Sequence, residues 1–196
     1  MSEQESDSSE RITKWTDDSI RFETVDEEPE KDFFDPFDTN REETFRFSFK
    51  TECTEDVATT DIELQGFPYE SDAVWKSTGL TVWRAAEYLC QLMIDERDAY
   101  FSTESTRRCL ELGSGLGLNG ILAHLLLEDP TCTVLLTDGD SDALVHLRKN
   151  IERNRSSHCS AIAGHQLIWG HESSLSFLER ICRGDKFDLI LASYIV

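Results

Sequence analysis

The residues best suited to chemistry lie in one run, Cys109-Leu-Glu111-Leu-Gly113-Ser-Gly115-Leu-Gly117. Glycines at alternate positions let the backbone turn sharply and approach a ligand where any Cβ would collide. A helix starting just beyond them presents free N–H groups and favours an anion. Leu136-Thr-Asp138 ends the next apolar run, and Asp138 stands 21 residues after Gly117. A carboxylate there can accept both hydroxyls of an adenosine ribose. The dinucleotide pattern GxGxxG needs glycine at position 118, which Leu118 occupies. A nicotinamide cofactor, and with it a Rossmann oxidoreductase, is therefore the weaker choice. The plain alternative, a tight turn with Asp138 as a helix cap, is outweighed by the combined context.

These residues need a sheet to carry them. Phe45, Phe47 and Phe49 alternate with Arg46, Ser48 and Lys50, which is strand periodicity, and Asp61 to Leu64 is the expected hairpin partner. Gly66, Pro68 and Ser71 mark loop. Val82, Ala86, Leu89 and Met93 fall on one face of a helix that begins near Val82. After a polar connection from Glu96 to Thr106, strands and helices alternate. Strands are expected at 108–112, 133–137, 166–169 and 187–192, and helices at 118–127, 142–153 (Ser141 as N-cap) and 174–182. The order βαβαβαβ calls for a parallel sheet of the Rossmann-like, doubly wound α/β class.

Composition bounds the surroundings. The 196 residues carry a formal net charge of −20, unevenly spread. From Met1 to Thr44 sixteen Asp and Glu face five Lys and Arg, with few aliphatics. Residues 1–43 therefore read as an acidic, mostly disordered tail, and residues 44–196 as a β element followed by the α/β domain. The acidity argues against nucleic acid as a partner and for a basic protein. The most apolar stretch, Ile121 to Leu127, is far too short to span a bilayer, so no membrane is expected. The start, MSEQESDSSE, lacks the cationic and apolar regions of a secretory signal. The six cysteines lie singly, as reduced thiols of a cytoplasmic or nuclear protein would. No Cys/His pattern suggests a metal, and the five histidines read as structural or surface residues.

An ordered set of segments resembles methyltransferase family 16, the lysine methyltransferase-like group of class I, seven-strand protein methyltransferases. The segments are Gly79-Leu-Thr-Val-Trp83-Arg-Ala-Ala86, Leu110 to Gly117, Thr137-Asp138, Ile168-Trp169-Gly170 and Phe187 to Ser193. The resemblance implies S-adenosylmethionine as cofactor and a protein as substrate. It places Glu111, Gly113 and Gly115 around the methionine end of the cofactor, Gly117 among the cofactor-binding residues and Asp138 at the ribose. Trp169 would stand beside the adenine, Trp83 would close over the cofactor, and Ala192 and Ser193 would lie beneath the sulfonium.

The family carries an Asp-x-x-Tyr-like motif after its fourth strand. Here Tyr194 occupies the acid's position, and Val196 ends the sequence before the usual tyrosine. Ser193 and Tyr194 are the candidates for orienting the acceptor nitrogen, although both are poor bases at neutral pH. Lysine, arginine, histidine and an N-terminal amine all stay open as acceptors. The family fold has three further strands, so the sequence reads as a C-terminally truncated methyltransferase. The alternative of another class is an inactive cofactor- or protein-binding fragment that lacks the substrate half.

Overall fold

The computed structural model describes residues 40–52, 57–102, 104–182 and 185–195. Residues 1–39 of the expected disordered tail lie outside the described residues, and its last residue, Glu43, already begins a strand.

Strands β1 (Glu43–Glu52) and β2 (Val57–Gly66) form the antiparallel hairpin that the phenylalanine alternation predicts. Phe47 and Phe49 stack at 6.2 Å, and β2 sends Ile62 and Leu64 into the core. A short helix α1 (Asp72–Lys76) and a single 3₁₀ turn (Thr78–Leu80) lead to α2 (Arg84–Asp95). The polar connection that follows contains one further turn of helix, α3 (Arg97–Tyr100).

The second sheet is parallel and four-stranded. It holds β3 (Arg108–Leu112), β4 (Thr133–Asp138), β5 (Ala161–Gln166) and β6 (Leu189–Ala192), in the order β5-β4-β3-β6. The intervening helices are α4 (Leu118–Leu126), α5 (Ser141–Asn154) and α6 (Glu172–Cys182). This is the expected Rossmann-like α/β arrangement, preceded by a small hairpin.

The two faces of the sheet are unequal. Cys109, Val134, Leu136, Ile162 and Leu191 share the face packed by α4 and α5, and all are buried. On the opposite face Phe177 of α6 packs its ring on His165, and Ile181 and Cys182 offer their carbonyls to the Arg108 guanidinium. Ile190, on that face, is 57% exposed. The strand expected to be buried over 187–192 is therefore shorter, and Leu191 is its one deeply buried side chain.

Two expectations need correction. The cap of α5 is Asp140, whose carboxylate accepts the N–H groups of Asp142 and Ala143; Ser141 is already helical. The third parallel strand is Ala161–Gln166, where 166–169 was expected. This edge strand buries Ile162 and little else, so its apolar signal is weak. The apolar run Leu167-Ile-Trp169 lines a cavity beyond the strand's end, and that use mimics a strand in sequence.

The hairpin is fastened by amide side chains. Asn150 of α5 accepts the Gln65 N–H at 2.8 Å and donates to the carbonyls of Gln65 and Leu116, both at 3.1 Å. One turn later Asn154 accepts the Glu63 N–H at 3.0 Å and donates to its carbonyl at 2.8 Å. The two asparagines thus pair with the edge of β2 that faces away from β1, supplying the partners that an isolated strand edge lacks.

Candidate cofactor site

A cavity of about 460 Å³ opens at the carboxyl ends of β3, β4 and β6. Its size falls within the span of small-molecule sites, and open parallel sheets bind ligands at this end.

The floor is the glycine turn. Gly113, Gly115 and Gly117 all adopt left-handed backbone, with φ of +62°, +50° and +92°. Each substituted side chain would meet a strained backbone, at about 1–2 kcal/mol. A Cβ on Gly115 would sit 3.1 Å from the Gly79 carbonyl oxygen, so two backbone segments pass side by side here. Gly79 is equally confined, since its Cβ would come within 2.7 Å of Ala143 Cβ. The alternate glycines thus serve two demands, the turn itself and the close approach of the 3₁₀ segment.

Asp138 stands at the end of β4 and lines the cavity. Its Oδ2 accepts the Gly115 N–H at 2.8 Å and its Oδ1 the Asp140 N–H at 3.0 Å. Both oxygens keep further lone pairs, so the carboxylate can brace the loop and still accept hydroxyl groups. Asp140 lines the same wall. Two carboxylates on one rim suit a ribose and disfavour a phosphate on it.

The remaining walls are apolar and aromatic. Trp83, the residue that precedes α2, donates its indole N–H to the Thr78 carbonyl at 2.8 Å. Its ring stacks on Tyr194, with centroids 4.8 Å apart and planes at 10°, while Tyr69 meets it edge-on at 5.6 Å. Tyr194 itself has a φ of +53°, a left-handed conformation that costs a non-glycine residue about 1 kcal/mol. An aromatic pair contributes about 0.5–1.5 kcal/mol, so the stack is close to balanced by the backbone that presents it. Trp169 lies on the rim, 53% exposed, near Gly113.

The structure gathers Trp83, Gly113, Gly115, Gly117, Asp138, Trp169, Ser193 and Tyr194 around this one cavity. Glu111 and Ala192 do not line it. Glu111 points from β3 toward α4, is 2% exposed, and accepts the Gly120 N–H at 3.1 Å. Gly120 permits this approach, because a Cβ there would lie 2.5 Å from the carboxylate oxygen. Burial pushes the Glu111 carboxyl up to about 8, against hydrogen bonds from Ser114 and Gly120 that pull it down.

Sequence reasoning missed Asn119 and Asp140, both of which line the cavity. Asn119 is a polar residue inside an apolar helix run, a signal that invites a search for its partners. The histidines fall outside the cavity. His124 is buried and accepts the Ser156 N–H, so it is a packing residue. Among the described residues no cluster of His, Cys, Asp or Glu is arranged to hold a metal, and no helix is long and apolar enough to cross a membrane.

A parallel α/β sheet with a left-handed glycine turn and an acidic strand end at one cavity defines a Rossmann-like domain of the nucleoside-cofactor type. Residues 69–196 match the lysine methyltransferase family, methyltransferase family 16, and the chain belongs to that family of S-adenosylmethionine-dependent methyltransferases. The protein-lysine N-methyltransferase EFM6 of Saccharomyces cerevisiae is 31% identical over 127 residues, 59% of this chain and 50% of that protein. A UPF0665 family protein of Schizosaccharomyces pombe is 33% identical over 87 residues, 44% of this chain and 26% of that protein. The chain spans half or less of the length of these relatives. A SAM-dependent methyltransferase from Agrobacterium tumefaciens of known structure is similar over 74% of this chain and 39% of that one, with 14% identity and a TM-score of 0.47.

Proposed function

We propose that this chain holds S-adenosylmethionine in the cavity at the sheet's carboxyl edge and forms the donor site of a protein methyltransferase. Lysine of a basic protein is the foremost acceptor. The observation that carries the reading is the pairing of the left-handed glycine turn with Asp138, which leaves room for a ligand and an acceptor for its ribose. The cavity also fits the cofactor's other parts. Trp169 offers a flat apolar face for the adenine, Trp83 a wall that closes over the donor, and Gly113 and Gly115 a floor without Cβ atoms. Glu111 acts on the site through the loop, by tying β3 to the first turn of α4. Ala192 ends β6 and so sets where Ser193 begins, and Gly117 lets α4 start against Leu136 and Leu147.

The methylsulfonium, when bound, supplies an already activated methyl group. The protein's share is then to align donor and acceptor and to exclude water, for which the Trp83–Tyr194 stack is suited. A lysine acceptor must first lose a proton, at about 4 kcal/mol near neutral pH. Ser193 and Tyr194 line the same cavity, which supports a role for them in orienting its nitrogen.

Titration calorimetry with S-adenosylhomocysteine and with NAD tests the reading. Binding of S-adenosylhomocysteine in clear preference to NAD is expected, and transfer of labelled methyl groups to protein in a cell extract should follow. Preference for NAD would overturn it.

A further inference from the structure

Ser193 and Asn119 form a directed pair whose direction is fixed from outside the cavity. Asn119 is 1% exposed at the start of α4, and its Nδ2 donates to the Ala86 carbonyl of α2 at 2.7 Å. A carbonyl can only accept, so this bond fixes the amide's orientation. The Cys90 sulfur, 3.1 Å from Nδ2, takes the same side. Burial holds the Cys90 thiol up at about 12, so it stays neutral at the bottom of the network. Asn119 Oδ1 is left facing Ser193, whose hydroxyl donates to it at 3.0 Å. A serine hydroxyl has one proton and two lone pairs. With the proton committed to Asn119, Ser193 meets the cavity as an acceptor alone.

We infer that Asn119 is a positioning residue which, through Ser193, makes this wall of the cavity selective for a hydrogen-bond donor, an ammonium group above all. The inference rests on the cofactor reading given above and deepens it. An ammonium can come from the amino-acid end of the cofactor or from the acceptor amine, and either one would find lone pairs at Ser193 and no competing proton. A hydroxyl free to rotate could also present its proton and would lose that discrimination. Asn119 also ties the site to α2, because the same amide that orders Ser193 holds the Ala86 carbonyl one turn beyond Trp83.

The test uses the full chain and three probes. S-adenosylhomocysteine carries the amino-acid ammonium, and 5′-methylthioadenosine lacks it. n-Butylammonium, titrated by NMR into the protein loaded with S-adenosylhomocysteine, stands in for a lysine side chain. Ser193→Ala should weaken one ammonium-bearing probe about tenfold, the loss of one hydrogen bond to a charged group, and leave 5′-methylthioadenosine unchanged. Loss on S-adenosylhomocysteine assigns the cofactor's ammonium; loss on n-butylammonium assigns the acceptor's. Asn119→Leu frees the Ser193 proton but leaves its lone pairs, so it should cost part of that affinity, and the double variant should lose no more than Ser193→Ala alone, since both changes act on one device. Ser193→Thr keeps a hydroxyl that can donate to Asn119 and accept from the ammonium, and should retain most of the affinity. Unchanged binding of both ammonium probes, or an equal loss on 5′-methylthioadenosine, would overturn the inference. So would additive effects of the two substitutions. If Asn119→Leu does not fold, Ser193→Ala with the three probes still decides. A wild-type chain that binds neither nucleoside would refute the cofactor reading itself, which is a separate failure.

Discussion

The Gly115 N–H donates to the Asp138 carboxylate across 2.8 Å, so the residue expected to meet the ribose also braces the glycine turn. Its other oxygen takes the Asp140 N–H, which means that both oxygens face donors. Asparagine cannot copy this, because its NH₂ must confront one of those two N–H groups. Asp138→Asn and Asp138→Ala should each weaken S-adenosylhomocysteine binding about tenfold or more, the cost of a lost charged acceptor. Each should also lower the melting temperature. Calorimetric titration beside thermal melting checks both effects, and an unchanged affinity in Asp138→Asn would remove the carboxylate from the ribose site.

Glu111 gives the fold a pH dependence with a definite sign. Its folded value, about 8, lies above the ordinary 4.5, so the folded state holds a proton that the unfolded state has lost. The stability linked to that proton is complete below the ordinary value and is lost as pH rises through about 8. Wild-type stability to urea should therefore fall between about pH 6 and pH 8.5, while Glu111→Gln, neutral throughout, should stay nearly flat. Burial holds His124, His146 and His165 below their ordinary 6.5, which adds a loss of stability in both proteins as pH drops under that value. Parallel pH profiles of wild type and Glu111→Gln above pH 6 would contradict the assignment of a buried, protonated acid.

Asn150 carries the hairpin's attachment. Asn150→Ala leaves the N–H and carbonyl of Gln65 and the carbonyl of Leu116 without their partner. The expected cost is about 2–4 kcal/mol, read as a lower denaturation midpoint. Asn150→Asp should fare little better, since a carboxylate repels two carbonyl oxygens. Amide exchange should show Gln65 losing protection first.

Tyr194 separates ring from backbone. Tyr194→Ala removes the stack on Trp83 and keeps the left-handed strain, whereas Tyr194→Gly removes both. The glycine variant should therefore be the more stable of the two by about 1 kcal/mol. Equilibrium unfolding compares them directly. An alanine variant as stable as the glycine variant would mean that the backbone at 194 relaxes once the ring is gone.

Residue order alone was enough for the elements that short-range physics controls. The period of apolar residues set the hairpin, the helix faces of α2 and α5 and the βα alternation, and the spaced glycines required the left-handed turn found at 113, 115 and 117. The position of Asp138 followed from the strand that it ends. The rest depends on contacts between distant positions, for which no local pattern exists. The edge strand β5 buries one side chain and was masked by the neighbouring apolar residues that line the cavity. Glu111 reads as a ligand-facing acid in a motif, yet the side of β3 from which it projects turns it toward α4 and Gly120. Asn119 and Ser193 lie 74 residues apart, and Trp83 and Tyr194 further still. Their pairing is set where α2, α4 and the end of β6 converge, because a hydrogen bond or a ring stack needs geometry that only the packed elements supply.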